Sequence, residues 1–157
     1  MNLYGQKTDS PSDVESILKE AQVLYVALSD HGIPYVVPMC FGYEDQCIYL
    51  HSKAAGRKME IMERHNVVCF CCVSHIQAVP ADRPCSWSMH YRSVIGTGRA
   101  RMVTDHEEKR SALECIARRF DADAAPFDDS AMAQTAVICI HIEQASCRIR
   151  EPDDLSS

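Results

Sequence analysis

Three apolar stretches joined by two short turns decide the fold: V-L-Y-V-A-L-S at residues 23–29, P-Y-V-V-P-M-C-F-G-Y at 34–43 and C-I-Y-L-H-S at 47–52. The intervening sequences, D-H-G and E-D-Q, are typical of turns. Strands joined so closely predict an antiparallel meander, because parallel strands need a longer crossover. Pro38 lacks an amide hydrogen and predicts an edge, a bulge or an interruption in the second strand.

The rest of the chain adds about three helices and three more strands. Helices are predicted from Pro11 to about Ala21, from the Arg57 region to about Arg64, and after Thr104–Glu107, where the third helix buries a face of Leu113, Ile116, Ala117 and Phe120. Strands are predicted at 67–74, 86–103 and 135–150, and loops at 75–84 and 121–130. About six antiparallel strands with packed helices predict a small, mainly β barrel. We expect one domain over residues 1–157, with its core at about 14–150.

Composition excludes several classes of protein. The 157 residues are 46% hydrophobic and 24% charged, which is typical of a globular chain. A net charge of −6 argues against a nucleic-acid binder. The sequence has neither an apolar run of about eighteen residues nor a secretory signal at its start, so we expect no membrane segment and a cytoplasmic location.

Nine cysteines are an odd number, and together with the absence of an export signal they predict free thiols. Cys69 and Cys71 should face one side of a strand and Cys72 the other. The spacing lacks the C-x-x-C pairs of zinc sites, so packing in the core is favoured over metal binding. Cys40 is interpreted as either a reactive thiol or a packed side chain.

The sequence Y-L-H-S-K-A-A-G-R-K at residues 49–58 predicts an anion site, because a strand ends and a helix then begins among cations. Arg57 offers a planar fork and Lys58 a mobile charge, which together suit a phosphate. His51 and Ser52 add donors at the end of the strand, and Lys53 follows them. An ordinary solvated helix start remains the alternative.

Two further stretches are candidate parts of a ligand site. In residues 87–98, Arg92 offers charge to a phosphate, Ser93 a hydroxyl, and Trp87 and Tyr91 an aromatic lining; a half-exposed strand is the alternative. In residues 35–43, an interrupted strand would offer backbone groups to the polar edge of a flat heterocycle; a core strand is the alternative.

These segments resemble the pyridoxamine 5′-phosphate oxidase-like flavoproteins with the FMN-binding split barrel, and are similar to their nitroimidazole-resistance branch. The matches are V-V-P-M-C-F-G-Y at 36–43, I-Y-L-H-S-K-A-A-G-R-K at 48–58, Y-R-S-V-I-G-T-G-R-A at 91–100 and E-E-K-R-S-A-L at 107–113. The resemblance extends from about Val14 to Arg150. It implies a six-stranded antiparallel barrel of Greek-key type.

The resemblance also implies a homodimer that binds one FMN at each subunit interface. The backbone of Val37, Pro38, Met39, Cys40 and Phe41 would meet the flavin ring. His51 and Ser52 would lie beside the ribityl phosphate, with Arg57 and Lys58 holding it. The remaining positions implied near the cofactor are Lys53, Trp87, Tyr91, Arg92 and Ser93.

The function implied by the resemblance is an FMN-dependent oxidoreductase that reduces a small acceptor such as a nitroaromatic, with NADH or NADPH as a candidate donor. The alternative is a non-catalytic flavin or haem carrier, or a redox sensor. No residue is marked as a general acid or base. The basic C-terminal motif of pyridoxamine phosphate oxidases is not found after Arg150, which argues against vitamin B6 synthesis.

Overall fold

The computed structural model describes residues 6–120 and 127–151. These residues contain eight strands, four α-helices and a short 3-10 turn at Pro84–Ser86. The strands are β1 (Gln6–Thr8), β2 (Leu24–Asp30), β3 (Ile33–Met39), β4 (Phe41–Glu44), β5 (Cys47–Ser52), β6 (Val67–Val79), β7 (Ser88–Met102) and β8 (Ala136–Arg150). The helices are α1 (Pro11–Glu20), α2 (Arg57–Arg64), α3 (His106–Ala117) and α4 (Asp129–Gln134).

All eight strands belong to one antiparallel sheet, in the order β3-β2-β6-β7-β8-β5-β4, with β1 added beside β8. The two ends of this order, β3 and β4, are consecutive in the chain and separated by Cys40 alone. Chain connectivity therefore brings the two ends together at one point, although the sheet remains unclosed. The predicted mainly β split barrel is confirmed, with eight strands where six were expected.

The second predicted strand is divided, which corrects the simple meander. Its first part pairs with β2 and its second part pairs with β5. The chain turns into the core at Phe41, which is fully buried, and Gly42 follows so close to α3 that an added Cβ would lie 2.8 Å from Cys115 Sγ. Pro38 lies in β3 at an edge of the sheet, as its missing amide hydrogen predicts.

Three other sequence predictions were wrong in detail. β6 continues to Val79 through an irregularity between Ser74 and Gln77, where a loop was expected, because a bulge absorbs the extra residue without ending the pairing. α4 begins in the last two residues of the predicted loop 121–130 and continues to Gln134; residues 121–126 are outside the described residues. Phe120 lies beyond the end of α3 and is 64% exposed, so it does not join that helix's buried face.

Two cores hold the elements together. The larger fills the barrel and includes the apolar faces of α1 and α2, such as Ile17 and Ile61. The smaller lies between the sheet and the helices α3 and α4, where Leu113 and Met132 pack on Val137. The helices therefore cover separate surfaces of the sheet and leave one outer face of β2, β6 and β7 exposed.

Gly98 permits the close approach of β7 and β8. A Cβ added there would lie 2.3 Å from the carbonyl oxygen of His141, which is backbone and cannot rotate away. We expect Gly98→Ala to lower the free energy of unfolding by about 1–3 kcal/mol, as overpacked sites do. Urea denaturation at fixed protein concentration measures the loss, and Thr97→Ala, one residue away, should lose less than about 1 kcal/mol. Equal losses in both variants would contradict the steric argument.

Candidate functional site

The N-terminus of α2 lies beside the β2–β3 hairpin. Gly56 precedes the helix with φ 125°, a conformation that side chains disfavour, so glycine allows the abrupt change from strand to helix. Arg57 and Lys58 occupy the first two helical positions, whose amides have no acceptor within the helix. The helix therefore directs free N–H groups and the cationic side chains of Arg57 and Lys58 toward one corner of the molecule, the α2 corner.

This corner carries more positive than negative charge. The carboxylate of Asp30 accepts hydrogen bonds from Arg57 Nε at 3.3 Å and from Arg64 Nη2 at 2.8 Å, so two cations share one anion. Burial alone would raise the pKa of Asp30, but these two guanidinium groups lower it further than burial raises it. The Arg57 guanidinium also stacks 4.6 Å from the centre of the Tyr35 ring, which orients it.

His51 and Ser52 end β5, six and five residues before α2 begins, so they precede the same corner along the chain. His51 is exposed, and the Ser52 hydroxyl donates to the Lys53 carbonyl at 3.0 Å. Lys53 is exposed and Lys58 is half-buried. These residues precede the helix start along the chain, and whether they bind an anion together with Arg57 and Lys58 stays a prediction.

The outer edge of β3 is the second part of the candidate site. Val37 and Met39 turn half-buried side chains toward the core, whereas Pro38 and Cys40 are exposed. Since prolines in sheets keep their nitrogen on the unpaired side, the backbone groups of Pro38 face away from β2. Phe41 is fully buried, 4.3 Å from the Arg119 guanidinium, so only its backbone could reach a ligand.

Within one chain, Arg92 lies away from the α2 corner, and its contact with a phosphate stays a prediction. Its Nη1 donates to both carboxylate oxygens of Glu20 at 2.7 and 2.9 Å. Arg92 pairs with Ser74 of β6, which lies two residues beyond Cys72, the partner of Leu24 at the start of β2. Asp30 lies at the opposite end of β2. About eight residues, or roughly 26 Å along the strand direction, separate the level of Arg92 from that of Asp30, which accepts a hydrogen bond from Arg57.

Three other predicted residues lie near Arg92 and not near α2. Ser93 and Tyr91 are half-buried and alternate with Arg92, so they face the opposite side of β7. The Trp87 side chain is 59% exposed, and its indole nitrogen donates to the Ala81 carbonyl at 2.9 Å. A single chain therefore divides the predicted ligands between two distant regions.

Sequence reasoning missed a polar cluster around Glu20. Its carboxylate accepts from Ser74 Oγ at 3.3 Å and lies 3.3 Å from His75 Nε2, at the wall of a cavity of about 480 Å³. His75 has φ 53°, which is unusual for a residue with a side chain and accompanies the irregularity in β6. No turn sequence marks the bulge. The histidine within an apolar strand pattern is the feature of the sequence that could have indicated it.

The same end of β7 carries buried polar atoms that lack hydrogen-bond partners among residues 6–120 and 127–151: Ser88 Oγ, His90 Nδ1 and Arg92 Nε. The Arg92 Nε lies 3.4 Å from Glu151 Oε1, which is an ion pair without hydrogen-bond geometry. Residues 88, 90 and 92 alternate along one strand and so face one side. Buried polar groups normally find partners, so this row is a candidate contact surface.

We expect Glu20→Gln to destabilise the protein in a pH-dependent way. Burial raises the pKa of Glu20, but Ser16, Arg92 and His75 together lower it more. A carboxyl group whose pKa is lowered by folding stabilises the fold at any pH above its ordinary pKa. This contribution is lost as the pH falls through the lowered pKa. The variant should lose about 1–2 kcal/mol of unfolding free energy at pH 7, with the difference shrinking below pH 4. A difference independent of pH, measured by urea denaturation, would contradict the ion pairing.

The cysteines are all free thiols in the structure. Cys72 is buried and Cys71 half-buried, whereas Cys69 is exposed, so the alternation along β6 is confirmed but core packing is wrong for Cys69. Within the described ranges, no group of three or more His, Cys, Asp and Glu side chains could hold a metal ion. None of the described helices is long and apolar enough to cross a membrane.

Comparison with known proteins identifies relatives that share this architecture. A candidate 5-nitroimidazole antibiotic resistance protein from Bacteroides thetaiotaomicron is 34% identical, with 95% of this chain and 92% of that chain covered and a TM-score of 0.81. The flavocytochrome Anf3 from Azotobacter vinelandii is 25% identical, with 96% and 72% covered and a TM-score of 0.79. A FAD-binding protein from Mesorhizobium loti is 25% identical, with 93% and 98% covered and a TM-score of 0.69.

Among curated proteins, none matches the sequence significantly. The family model of pyridoxamine 5′-phosphate oxidase matches residues 10–149, which is most of the chain. The match includes the α2 corner, the β3 edge and the polar cluster around Glu20. The chain therefore belongs to the pyridoxamine 5′-phosphate oxidase family.

Proposed function

We propose that this protein is an FMN-dependent oxidoreductase that reduces a small acceptor. The observation that carries the proposal is the N-terminus of α2, where Arg57 and Lys58 begin the helix and Arg57 shares the carboxylate of Asp30 with Arg64 from the last turn of the helix. A terminal phosphate monoester suits this corner, because it accepts from free helix amides and from guanidinium groups together. Two relatives that bear on the choice of cofactor are a flavocytochrome and a FAD-binding protein.

The residues present fit FMN at two points. Arg57 and Lys58, with the α2 amides, would hold the phosphate, and His51, Ser52 and Lys53 would lie beside it. The outer backbone of Val37–Phe41 would contact the polar edge of the flavin ring, because β3 is an edge strand with unpaired groups. A bound flavin supplies the electron-transfer chemistry, while the protein supplies binding and orientation.

The second half of the site would come from another copy of the chain. The outer face of the sheet presents a row of Pro38, Tyr25, Cys71 and Ile95, which are adjacent across four strands. Tyr25 is 48% and Ile95 56% exposed, and such a contiguous apolar surface is typical of an interface. A homodimer through this face would add Tyr91 and Ser93, which share that side of β7, to the cofactor contacts.

The cavity beside Glu20 would admit a small acceptor. Its wall presents the side chains of Glu20 and His75, whose Oε2 and Nε2 atoms lie 3.3 Å apart, next to the outer face of β2. The nitroimidazole-resistance relative favours a nitroaromatic as the acceptor. NADH or NADPH is the proposed electron donor.

Absorption spectroscopy of the purified protein tests this proposal. We expect flavin bands, or their appearance with quenched fluorescence when FMN is titrated, and FMN should bind more tightly than riboflavin or FAD. Under anaerobic conditions, NADH or NADPH should bleach the bands, and a nitroimidazole should restore them. A Soret band would favour a haem carrier, bands that no donor bleaches would favour a non-catalytic flavin protein, and failure to bind any flavin would overturn the proposal.

A further inference from the structure

A second cluster of reactive groups lies where β5 pairs with β8, separate from the α2 corner. Cys47 is opposite His141, and Tyr49 is opposite Cys139. Since alternate residues of a strand share a face, Cys47, Cys139 and His141 lie on one face, with the two cysteines at diagonal positions. Cys47 Sγ lies 4.0 Å from His141 Nδ1.

The two cysteines differ in their access to solvent. Cys139 is 1% exposed within the smaller core, and Cys47 is half-buried and packs against that core from its rim. His141 is exposed beside Cys47. Burial and the neighbouring Cys47 thiol raise the pKa of Cys139 to about 12, so Cys139 is a neutral thiol at pH 7. The accessible Cys47 thiol thus has the His141 imidazole beside it and the buried Cys139 thiol on its core side.

We propose that Cys47 and Cys139 form a reversible disulfide when a hydroperoxide oxidises Cys47. His141 accepts the Cys47 proton, and the resulting thiolate attacks the terminal peroxide oxygen. The S–O bond forms as the O–O bond breaks, and the remaining oxygen takes up a proton and leaves as an alcohol or water. The Cys139 sulfur then attacks the Cys47 sulfur, and the S–S bond forms as the S–O bond breaks. The departing hydroxide takes the Cys139 proton and leaves as water.

The electrons balance, because two thiols lose two electrons and the hydroperoxide gains them.

Arg101, opposite Cys139 across β7 and β8, supplies a positive charge beside the two sulfurs, although Glu108 pairs with it. Within the described residues, Cys47 is the one cysteine hydrogen-bonded to a histidine. Cys69 and Cys71, by comparison, are two residues apart on one extended strand, which keeps their side chains parallel rather than convergent.

Peptide mapping under non-reducing conditions tests the proposal on the reduced, full-length protein. Hydrogen peroxide is the probe, and free thiols are alkylated before digestion with trypsin. We expect a linked pair of peptides, residues 20–53 with 120–148, that dithiothreitol separates. Cys47→Ser and Cys139→Ser should each abolish the pair. Cys40→Ser and Cys147→Ser are matched controls, because they remove the other cysteine of each peptide and should leave the link intact.

Two further measurements keep the proposal falsifiable if the buried variant folds poorly. In the wild-type protein, dimedone present during brief peroxide treatment should label Cys47. His141→Gln should slow oxidation at pH 7 severalfold, with the difference vanishing above pH 9, where free thiols in water ionise without a base. A link that survives Cys47→Ser, dimedone labelling elsewhere, or equal slowing at both pH values would overturn the proposal.

Discussion

Replacing Arg57 and Lys58 together by glutamine is expected to weaken FMN binding by at least about 100-fold. Each side chain would lose a charge-assisted contact to the phosphate worth about 1.5–3 kcal/mol, and every 1.4 kcal/mol is tenfold in affinity. The lower end of this energy range applies because the Arg57 guanidinium already donates to Asp30. Fluorescence quenching of FMN on titration measures the change. Lys19→Gln with Arg118→Gln removes two exposed charges elsewhere and should leave the affinity unchanged.

Riboflavin separates the phosphate contact from every other effect of these substitutions. It lacks the phosphate, so the wild type and the double variant should bind it equally. Asp30→Asn should act in the opposite direction and tighten FMN binding severalfold, because it frees Arg57 and Arg64 from their shared carboxylate. Unchanged FMN affinity in the double variant, or an equal loss of affinity for riboflavin, would show that the phosphate does not bind at the α2 corner.

Local chemistry explains why much of the fold could be predicted from the sequence. The hairpin β2–β3, the helix α2 and the strands β7 and β8 follow from alternating apolar residues, turn sequences and a glycine before a basic helix start. Pro38 correctly predicted an edge, because a missing amide hydrogen is a property of the residue itself. Helix electrostatics likewise predict an anion at the N-terminus of α2, and that site stays a prediction.

Features that depend on distant pairing could not be predicted in this way. The division at Cys40 arises because Phe41 packs in the core and β4 pairs with β5, and neither contact leaves a local mark on the sequence. Arg92 carries the right charge for a phosphate, but register places it against Glu20, 72 residues earlier in the chain. The bulge at His75 is a register shift, which composition does not encode.

The division of predicted ligands between the α2 corner and the far end of β7 has a consequence for oligomerisation. If one flavin contacts both regions, a second chain must supply one of them, since roughly 26 Å separates them within a chain. The exposed row of Tyr25, Cys71 and Ile95 gives that second chain an apolar surface on which to pack. Dimerisation and cofactor binding should therefore fail together.

Ile95→Arg is expected to convert the protein to a monomer and to abolish FMN binding at micromolar concentrations. It places a charge in the proposed interface, where desolvation would be costly, and standard interfaces bury about 800 Å² per partner. Sedimentation equilibrium and FMN titration on the same sample measure both effects. Phe120→Arg is the matched control, because Phe120 is equally apolar and exposed but lies after α3, away from this face. A dimeric Ile95→Arg protein would place the interface elsewhere, whereas a monomer that binds FMN with wild-type affinity would show that one chain holds the cofactor alone.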